Sequence, residues 1–196
     1  GKLYVLASHF HPDHFNKEVL QWREQRPDII YIFSKDILRH RRAQKEDAVW
    51  LKKGEEYKDE TLSVRAFGST DVGVSFLLQA SGKKIFHAGD LNNWHWMDES
   101  TEAEWKGAEK NFLHELDDLY AYTPEVDVAM FPVDPRLGKE YMRGAGQFVT
   151  KIKTHIFVPM HFTPEYAKAN AFRDFAEAHG VRFVSLTHRG QKIEIE

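Results

Sequence analysis

Cysteine is absent from the chain, and this absence narrows the chemistry open to it. Disulfide bonds and thiolate nucleophiles are excluded, so any metal ion must be held by imidazole or carboxylate groups. No apolar run approaches the roughly 20 residues that a membrane-spanning helix needs, and the N-terminus lacks the basic-then-apolar pattern of a secretion signal. We therefore expect a cytoplasmic protein with no membrane partner.

A large excess of charge of either sign is also lacking. The 196 residues include 27 Lys+Arg and 30 Asp+Glu, for a formal net charge of −3. This weakly acidic total argues against a nucleic-acid partner, and the one basic run, Arg39-His40-Arg41-Arg42, is typical of a solvated helix end. With 42% hydrophobic and 29% charged residues, the composition is globular, and the length predicts a single domain over residues 1–196.

Short apolar runs alternate with helical patterns along the chain, which predicts a mixed α/β layered fold. Buried strands are predicted at 3–7 and 29–33, and antiparallel strands around 49–51, 56–58 and 62–67. A hairpin is predicted with strands at 74–78 and 84–87, joined by Ser81-Gly82. Later strands are predicted at 128–131, 155–158, 182–186 and 191–195. Helices are predicted at 16–26, 34–42, 100–120, 140–152 and 164–178.

A dense group of metal-ligand residue types follows the first predicted strand. It consists of His9, His11, Asp13 and His14. An extended backbone points residues two apart to the same side, so the imidazoles of His9 and His11 can face one cation. One histidine in a loop is usually only a polar surface residue. Four ligand types within six residues at a strand end favour a site for two adjacent cations.

Two further candidate ligands come at the ends of later predicted strands. Asp90 follows Gly89 at the end of the hairpin, where its carboxylate could bridge two metals, and His161 follows the strand at 155–158. Taken alone, a Gly-Asp pair is more often a turn, and a single histidine after a strand is more often structural. Their order after the first cluster favours a ligand role for both.

Taken together, the motifs resemble those of the metallo-β-lactamase superfamily over nearly the whole chain. They read His9-x-His11-x-Asp13-His14, then Gly89-Asp90, then Pro159-Met160-His161-Phe162. The resemblance implies an αββα sandwich of mixed sheets with the metals at one edge of the two sheets. It also implies that one metal is bound by His9 and His11, the other by Asp13, His14 and His161, and both by Asp90.

Two features of the resembled family have no counterpart in this sequence. The family usually supplies a third histidine to the first metal from a loop that here reads Gly-Ser-Thr-Asp-Val-Gly over 68–73. Asp71 is the best substitute, because carboxylate oxygen is a workable ligand for zinc, manganese or iron. The alternative is that Asp71 only forms an Asx-type turn before Gly73.

In the resembled family a strand-rich segment also usually precedes the first motif. We therefore expect N-terminal strands to be missing and the chain to be truncated there.

The resemblance implies a hydrolase with two divalent metal ions, with zinc expected first and manganese or iron as alternatives. Two cations share a water and lower its pKa, and the resulting hydroxide attacks a small ester, lactone or phosphoester. Asp13 would orient this hydroxide and return a proton to the leaving group.

Three residues are candidates for substrate contact. Trp94 and Trp96 either wall the pocket or form a lid that packs on the acidic helix. Arg136 either binds a phosphate or carboxylate of the substrate or pairs with Asp134 or Glu140.

Other functions remain open on the same residues. The first is a phosphodiesterase or nuclease of the same superfamily, and the modest acidity weighs against it. The second is a non-catalytic regulatory module that binds metal without turnover. Di-iron oxygen chemistry also uses this scaffold with carboxylate-richer sites, and an Asp71 ligand keeps it open. The oligomeric state cannot be read from the sequence.

Overall fold

A computed structural model describes residues 1–194 of the chain. Within these residues, ten strands form one sheet of three strands and one of seven. The smaller sheet is parallel, in the order β1-β2-β3, and its strands are β1 (Tyr4–Ala7), β2 (Ile30–Ser34) and β3 (Val49–Leu51). The prediction that 49–51 pairs antiparallel was wrong. Helix α1 (Lys35–Arg39) and a 3₁₀ turn at Lys45–Asp47 carry the chain back, so that β3 runs parallel to β2.

The larger sheet is mixed, in the order β10-β9-β8-β7-β6-β5-β4. Its strands are β4 (Glu56–Lys58), β5 (Ser63–Phe67), β6 (Ser75–Ala80), β7 (Lys83–His87), β8 (Glu125–Pro132), β9 (Lys153–Met160) and β10 (Arg182–Phe183). Strands β4 to β7 are antiparallel, and β7 to β10 are parallel. The predicted hairpin at Ser81-Gly82 is confirmed, and both turn residues have the positive φ that a tight hairpin turn requires.

The two sheets pack face to face, and helices cover their outer faces. Strand β6 shows this arrangement, because successive side chains of a strand point to opposite faces. Phe76 lies in an apolar cluster with Ile32 of the small sheet, whereas Leu77 lies in a cluster with Phe112 and Leu116 of helix α2 (Glu102–Tyr122). The fold is therefore the αββα sandwich that the resemblance implied.

Several predicted elements differ in type or extent. The segment after Asn16 is a 3₁₀ helix at Lys17–Glu24, and the helix predicted over 164–178 is divided into α4 (Tyr166–Asn170) and α5 (Arg173–Ala178) by a bend that buries Phe172. The strand predicted at 182–186 is reduced to β10. In the strand predicted at 191–195, residues 191–194 have no regular structure and residue 195 lies outside the described residues.

Two helical segments connect β8 to β9. The first, Pro135–Glu140, is a pair of 3₁₀ turns divided at the non-helical Gly138, and the second is helix α3 (Arg143–Lys151). None of the helices in residues 1–194 combines the length and the apolar character that crossing a membrane requires.

Candidate metal centre

The first motif leaves β1 in a tight turn that gathers its histidines. The backbone N–H groups of His14 and Phe15 donate to the carbonyl of His11, at 3.0 and 2.8 Å, so the chain folds back directly after His11. The ring centroids of His9 and His14 are 4.0 Å apart, and those of His9 and His11 are 4.8 Å apart. The turn therefore brings three imidazoles to one point at the end of β1.

Asp90 lies between these histidines and His161, and its two oxygens face different partners. Oδ2 is 3.3 Å from Nε2 of His9, whereas Oδ1 is 3.1 Å from Nε2 of His14 and 3.3 Å from Nε2 of His161. Burial alone would raise the pKa of Asp90, but the neighbouring imidazoles of His14 and His9 outweigh it and hold that pKa well below its usual range. Asp90 is therefore a carboxylate at neutral pH.

The candidate ligands form two groups of three within residues 1–194. The first group is His9, His11 and Asp90, and the second is Asp13, His14 and His161. Within each group, every residue offers one ligand atom that lies within 4.8 Å of the ligand atoms of the other two. The structure thus brings together six of the seven residues that the sequence assigned to metal binding.

These residues fit divalent cations. Nε2 of His9 and Oδ1 of Asp90 are buried, and neither has a hydrogen-bond partner among the described residues. Buried polar atoms without a partner cost free energy, and cations bound to them would remove that cost. Imidazole and carboxylate donors suit zinc, manganese and iron.

Asp71 lies at the rim and belongs to neither of the two groups within residues 1–194. Its Oδ2 is 3.9 Å from Nδ1 of His11, and its side chain is 47% exposed. Its backbone N–H donates to the hydroxyl of Ser69. The ligand role of Asp71 stays a prediction.

Two glycines allow neighbouring loops to approach the start of the motif. A Cβ at Gly73, where φ is +75°, would lie 2.1 Å from the carbonyl oxygen of Ser8 and 2.5 Å from Cβ of His9. A Cβ at Gly89 would lie 2.9 Å from Cβ of Ser8 and 2.9 Å from the carbonyl oxygen of Val74. The backbone N–H of Val74 donates to the carbonyl of Ser8 at 3.0 Å. The loop at 68–73 and the turn after β7 are therefore held directly against the first motif.

Ser8 holds a histidine from each group, a role that the sequence analysis missed. Its hydroxyl oxygen is 3.0 Å from Nδ1 of His9 and 3.4 Å from Nδ1 of His14. A histidine whose Nδ1 is engaged in this way presents Nε2 to a metal. A serine before a histidine is too common to be recognised as such a partner without the structure.

Asp134, which was also missed as a site residue, holds His161 in the same manner. It is fully buried, and its Oδ2 accepts a hydrogen bond from Nδ1 of His161 at 3.0 Å. Burial alone would raise the pKa of Asp134, but hydrogen bonds from His161 and Arg136 lower it to about 2. Burial alone would lower the pKa of His161, but the bond to Asp134 and the charge of Asp90 raise it. The sequence signal that could have identified Asp134 was its position just after a predicted strand, because the other site residues also follow strands.

Arg136 pairs with Asp134, which is one of the alternatives that the sequence left open. Its Nε lies 3.0 Å from both carboxylate oxygens, and Nη2 is 3.4 Å from Nδ1 of His161. The Arg136 side chain is 52% exposed. A role in substrate binding stays a prediction for this residue.

The two tryptophans lie on the His161 side of the centre. The Trp94 ring is 5.5 Å from that of His161, its Nε1 donates to the carbonyl of Asp90 at 2.8 Å, and Trp96 stacks on it at 6.4 Å. Both side chains are partly buried. This placement favours the pocket-wall alternative for Trp94.

Two other histidines near the motifs have structural contacts. Nδ1 of His87 accepts the N–H of Gly89 at 3.1 Å, and burial lowers the pKa of His87 to about 4. His95 is buried, and its Nε2 is 3.1 Å from the carbonyl oxygen of Glu140. His87 therefore supports the turn that precedes Asp90, and His95 anchors its loop.

Replacing Asp134 by asparagine is expected to weaken metal binding at the second group by about 10- to 100-fold, the usual cost of losing a partner of a metal-binding histidine. The amide keeps the volume but loses the charge that holds His161 and Arg136. Titration of metal-free protein with zinc would show one weakened site and one unchanged site. Asp127→Asn on strand β8 is the control, since that carboxylate accepts the N–H of Lys84 and belongs to neither ligand group. Equal weakening in both variants would contradict a specific role for Asp134.

Residues 3–162 match the family model described as the beta-lactamase superfamily domain. No curated protein sequence gives a significant match. The fold is similar to that of Igni18, a novel metallo hydrolase from the archaeon Ignicoccus hospitalis, with 18% identity, 94% of this chain and 76% of that chain covered, and a TM-score of 0.63. It is also similar to the metallo-beta-lactamase fold protein YhfI from Bacillus subtilis, with 12% identity, 93% of this chain and 75% of that chain covered, and a TM-score of 0.59. A third similar structure is CmlA, a diiron beta-hydroxylase from Streptomyces venezuelae, with 14% identity, 93% of this chain and 43% of that chain covered, and a TM-score of 0.60.

Proposed function

This chain belongs to the β-lactamase superfamily, and from that membership we propose that it is a hydrolase that uses two divalent metal ions. The observation that carries the proposal is the placement of Asp90. One of its oxygens faces His9, and the other faces His14 and His161. A carboxylate between two groups of ligands is the arrangement expected of a bridge between two cations.

Each group of ligands has a proposed part. His9, His11 and Asp90 would hold one cation, and Asp13, His14, His161 and Asp90 would hold the other. When bound, two such cations activate a water and polarise a carbonyl or phosphoryl oxygen of the substrate. Zinc is the metal we expect first, with manganese or iron as alternatives; the similar structures include both a metallo hydrolase and a diiron enzyme.

The protein's own side chains would position the reaction and transfer its proton. Asp13 is 68% exposed, and its Oδ2 is 3.5 Å from Nε2 of His14. Its carboxylate therefore reaches the solvent side of the centre, where Oδ2 can accept a proton from the attacking water and return it to the leaving group. Ser8 and Asp134 keep the imidazoles oriented, and Trp94 excludes water from the side of His161.

The substrate we propose is a small ester, lactone or phosphoester. The test is metal analysis of the purified protein together with a panel of a phosphomonoester, a phosphodiester, a lactone and a thioester. We expect about two metal ions per chain and turnover of at least one substrate, which a chelator abolishes and added metal restores.

His11→Ala and His114→Ala form a matched pair for this test. His11 belongs to the first ligand group, whereas His114 is exposed on helix α2. We expect only His11→Ala to lose metal and activity. Full metal occupancy in His11→Ala would contradict the site assignment, and two bound metals without turnover on the panel would identify a non-catalytic metal-binding module.

A further inference from the structure

The basic run at 39–42 lies beside the metal-ligand motif. Helix α1 ends at Arg39, and the ring of His40 stacks on the ring of Phe10, with centroids 3.7 Å apart and planes 15° apart. Phe10 stands between two candidate ligands, and its ring is 4.6 Å from that of His11. The Phe10 ring therefore lies between His40 of the basic run and His11 of the first ligand group.

A second contact fixes this arrangement. The backbone N–H of Phe10 donates to Oδ2 of Asp36 at 3.0 Å, and Asp36 belongs to helix α1. The helix that carries the basic run is thus attached to the motif by a hydrogen bond and by the ring stack. The position of the run beside the centre follows from both contacts.

The three arginines of the run, Arg39, Arg41 and Arg42, have exposed side chains. None of them forms an ion pair with a carboxylate among residues 1–194. Arg136 and Arg143, by contrast, pair with Asp134 and Glu109. The run therefore concentrates uncompensated positive charge on a chain whose net charge is −3.

We propose that Arg39, Arg41 and Arg42 bind a phosphate group of the substrate that is separate from the group that reacts. Arginine is suited to this role, because the planar guanidinium donates two parallel hydrogen bonds to phosphate oxygens. The substrate is then a small organic phosphoester that carries a second phosphate. This inference rests on the proposed hydrolase function. It narrows the proposed substrate class from esters, lactones and phosphoesters to phosphoesters alone.

The reaction leaves the second phosphate intact. The oxygen of a water molecule adds to the reacting phosphorus, and the bond from that phosphorus to the alcohol oxygen breaks. A proton of the same water passes through Asp13 to the alcohol oxygen, so that an alcohol and inorganic phosphate are released. A nucleic acid is a second source of phosphate groups. We favour the small molecule because the total charge is acidic and because Asp13 and Asp71 are exposed at the rim.

The test uses butane-1,4-bisphosphonate and butylphosphonate, which differ by one distal phosphonate and cannot be hydrolysed. Calorimetric titration of the metal-loaded protein is expected to show roughly tenfold tighter binding of the bisphosphonate, consistent with charge-assisted hydrogen bonds to one more anionic group. The triple variant R39A/R41A/R42A should lose this preference, and R39K/R41K/R42K should keep part of it. R182A is the control, because Arg182 is an exposed arginine at the start of β10.

Each outcome of the titration decides a separate point. Equal binding of both phosphonates to the native protein would overturn the inference, even if esters are hydrolysed. An unchanged preference in the triple alanine variant would also overturn it. A preference that the arginines control, on a protein that hydrolyses no ester, would support the phosphate site and count against the hydrolase. Tighter, arginine-dependent binding of a short single-stranded oligonucleotide would replace the small molecule by a nucleic acid.

Discussion

Asp90→Asn is expected to abolish metal binding and hydrolysis together. Asparagine has almost the same volume, so packing around the buried side chain is kept. One carboxylate oxygen is replaced by an NH₂ group, which cannot serve as a ligand and would point its hydrogens at the imidazole nitrogens. Because Asp90 faces both groups of ligands, one substitution should affect both cations. Loss of an outer partner of a ligand already costs about 10- to 100-fold in metal affinity or activity, so we expect a loss of more than about 100-fold.

Metal content and turnover on the responsive ester measure this effect, and circular dichroism reports whether the fold is kept. Asp127→Asn again provides the control, because it removes one charge from a half-buried carboxylate on β8 that belongs to neither ligand group. A folded Asp90→Asn protein that still holds two metals would exclude Asp90 as the bridge.

Gly73→Ala is expected to be the most destabilising single-methyl substitution in the site. The new Cβ would lie 2.1 Å from the carbonyl oxygen of Ser8 and 2.5 Å from Cβ of His9, at a φ of +75°. A positive φ costs about 1–2 kcal/mol for a residue with a Cβ, and forced displacement of packed neighbours costs about 1–3 kcal/mol more. We therefore expect a loss of about 2–5 kcal/mol in the free energy of unfolding, together with weaker metal binding because His9 must move.

Gly82→Ala separates the two causes of this loss. Gly82 has the same φ of +75°, and no heavy atom beyond its two chain neighbours lies within 4 Å of an added Cβ. Denaturant unfolding of the metal-free proteins should therefore show only the backbone cost of about 1–2 kcal/mol at Gly82. Equal destabilisation by the two substitutions would show that close contact at Gly73 has no energetic role.

The candidate ligands were visible in the sequence because histidine and aspartate stand out at the ends of apolar strands. The spacing of His9 and His11 pointed both rings at one cation, and the resemblance to the metallo-β-lactamase superfamily implied that Asp90 joins them. Their neighbours Ser8 and Asp134 could not be assigned, because one serine or one aspartate in a loop is common and its partner lies far away in the chain. Glycine at position 73 was equally visible, but a sequence does not show which backbone a glycine approaches.

The fold was predictable where local signals decide the structure. The hairpin at Ser81-Gly82 follows from a two-residue turn that accepts positive φ. The direction of β3 depends instead on the 14-residue connection over 35–48, and a strand of three residues carries no signal of its own direction. The helix predicted over 16–26 is a 3₁₀ helix at Lys17–Glu24, and none of its residues is fully buried. Val19 and Leu20 pack against the core while remaining partly exposed. This apolar contact is smaller than the packed face that usually stabilises an α-helix.

The candidate ligands come from both sheets of the sandwich. His9, His11 and His14 follow β1 of the smaller sheet, whereas Asp90 and His161 follow β7 and β9 of the larger one. The complete set of ligands exists only when the two sheets are packed together, so metal binding and folding are thermodynamically linked. Free metal at about 100 times its dissociation constant would add about 2.7 kcal/mol to the stability of the folded chain. The supply of the ion would then affect the abundance of the folded protein as well as its activity.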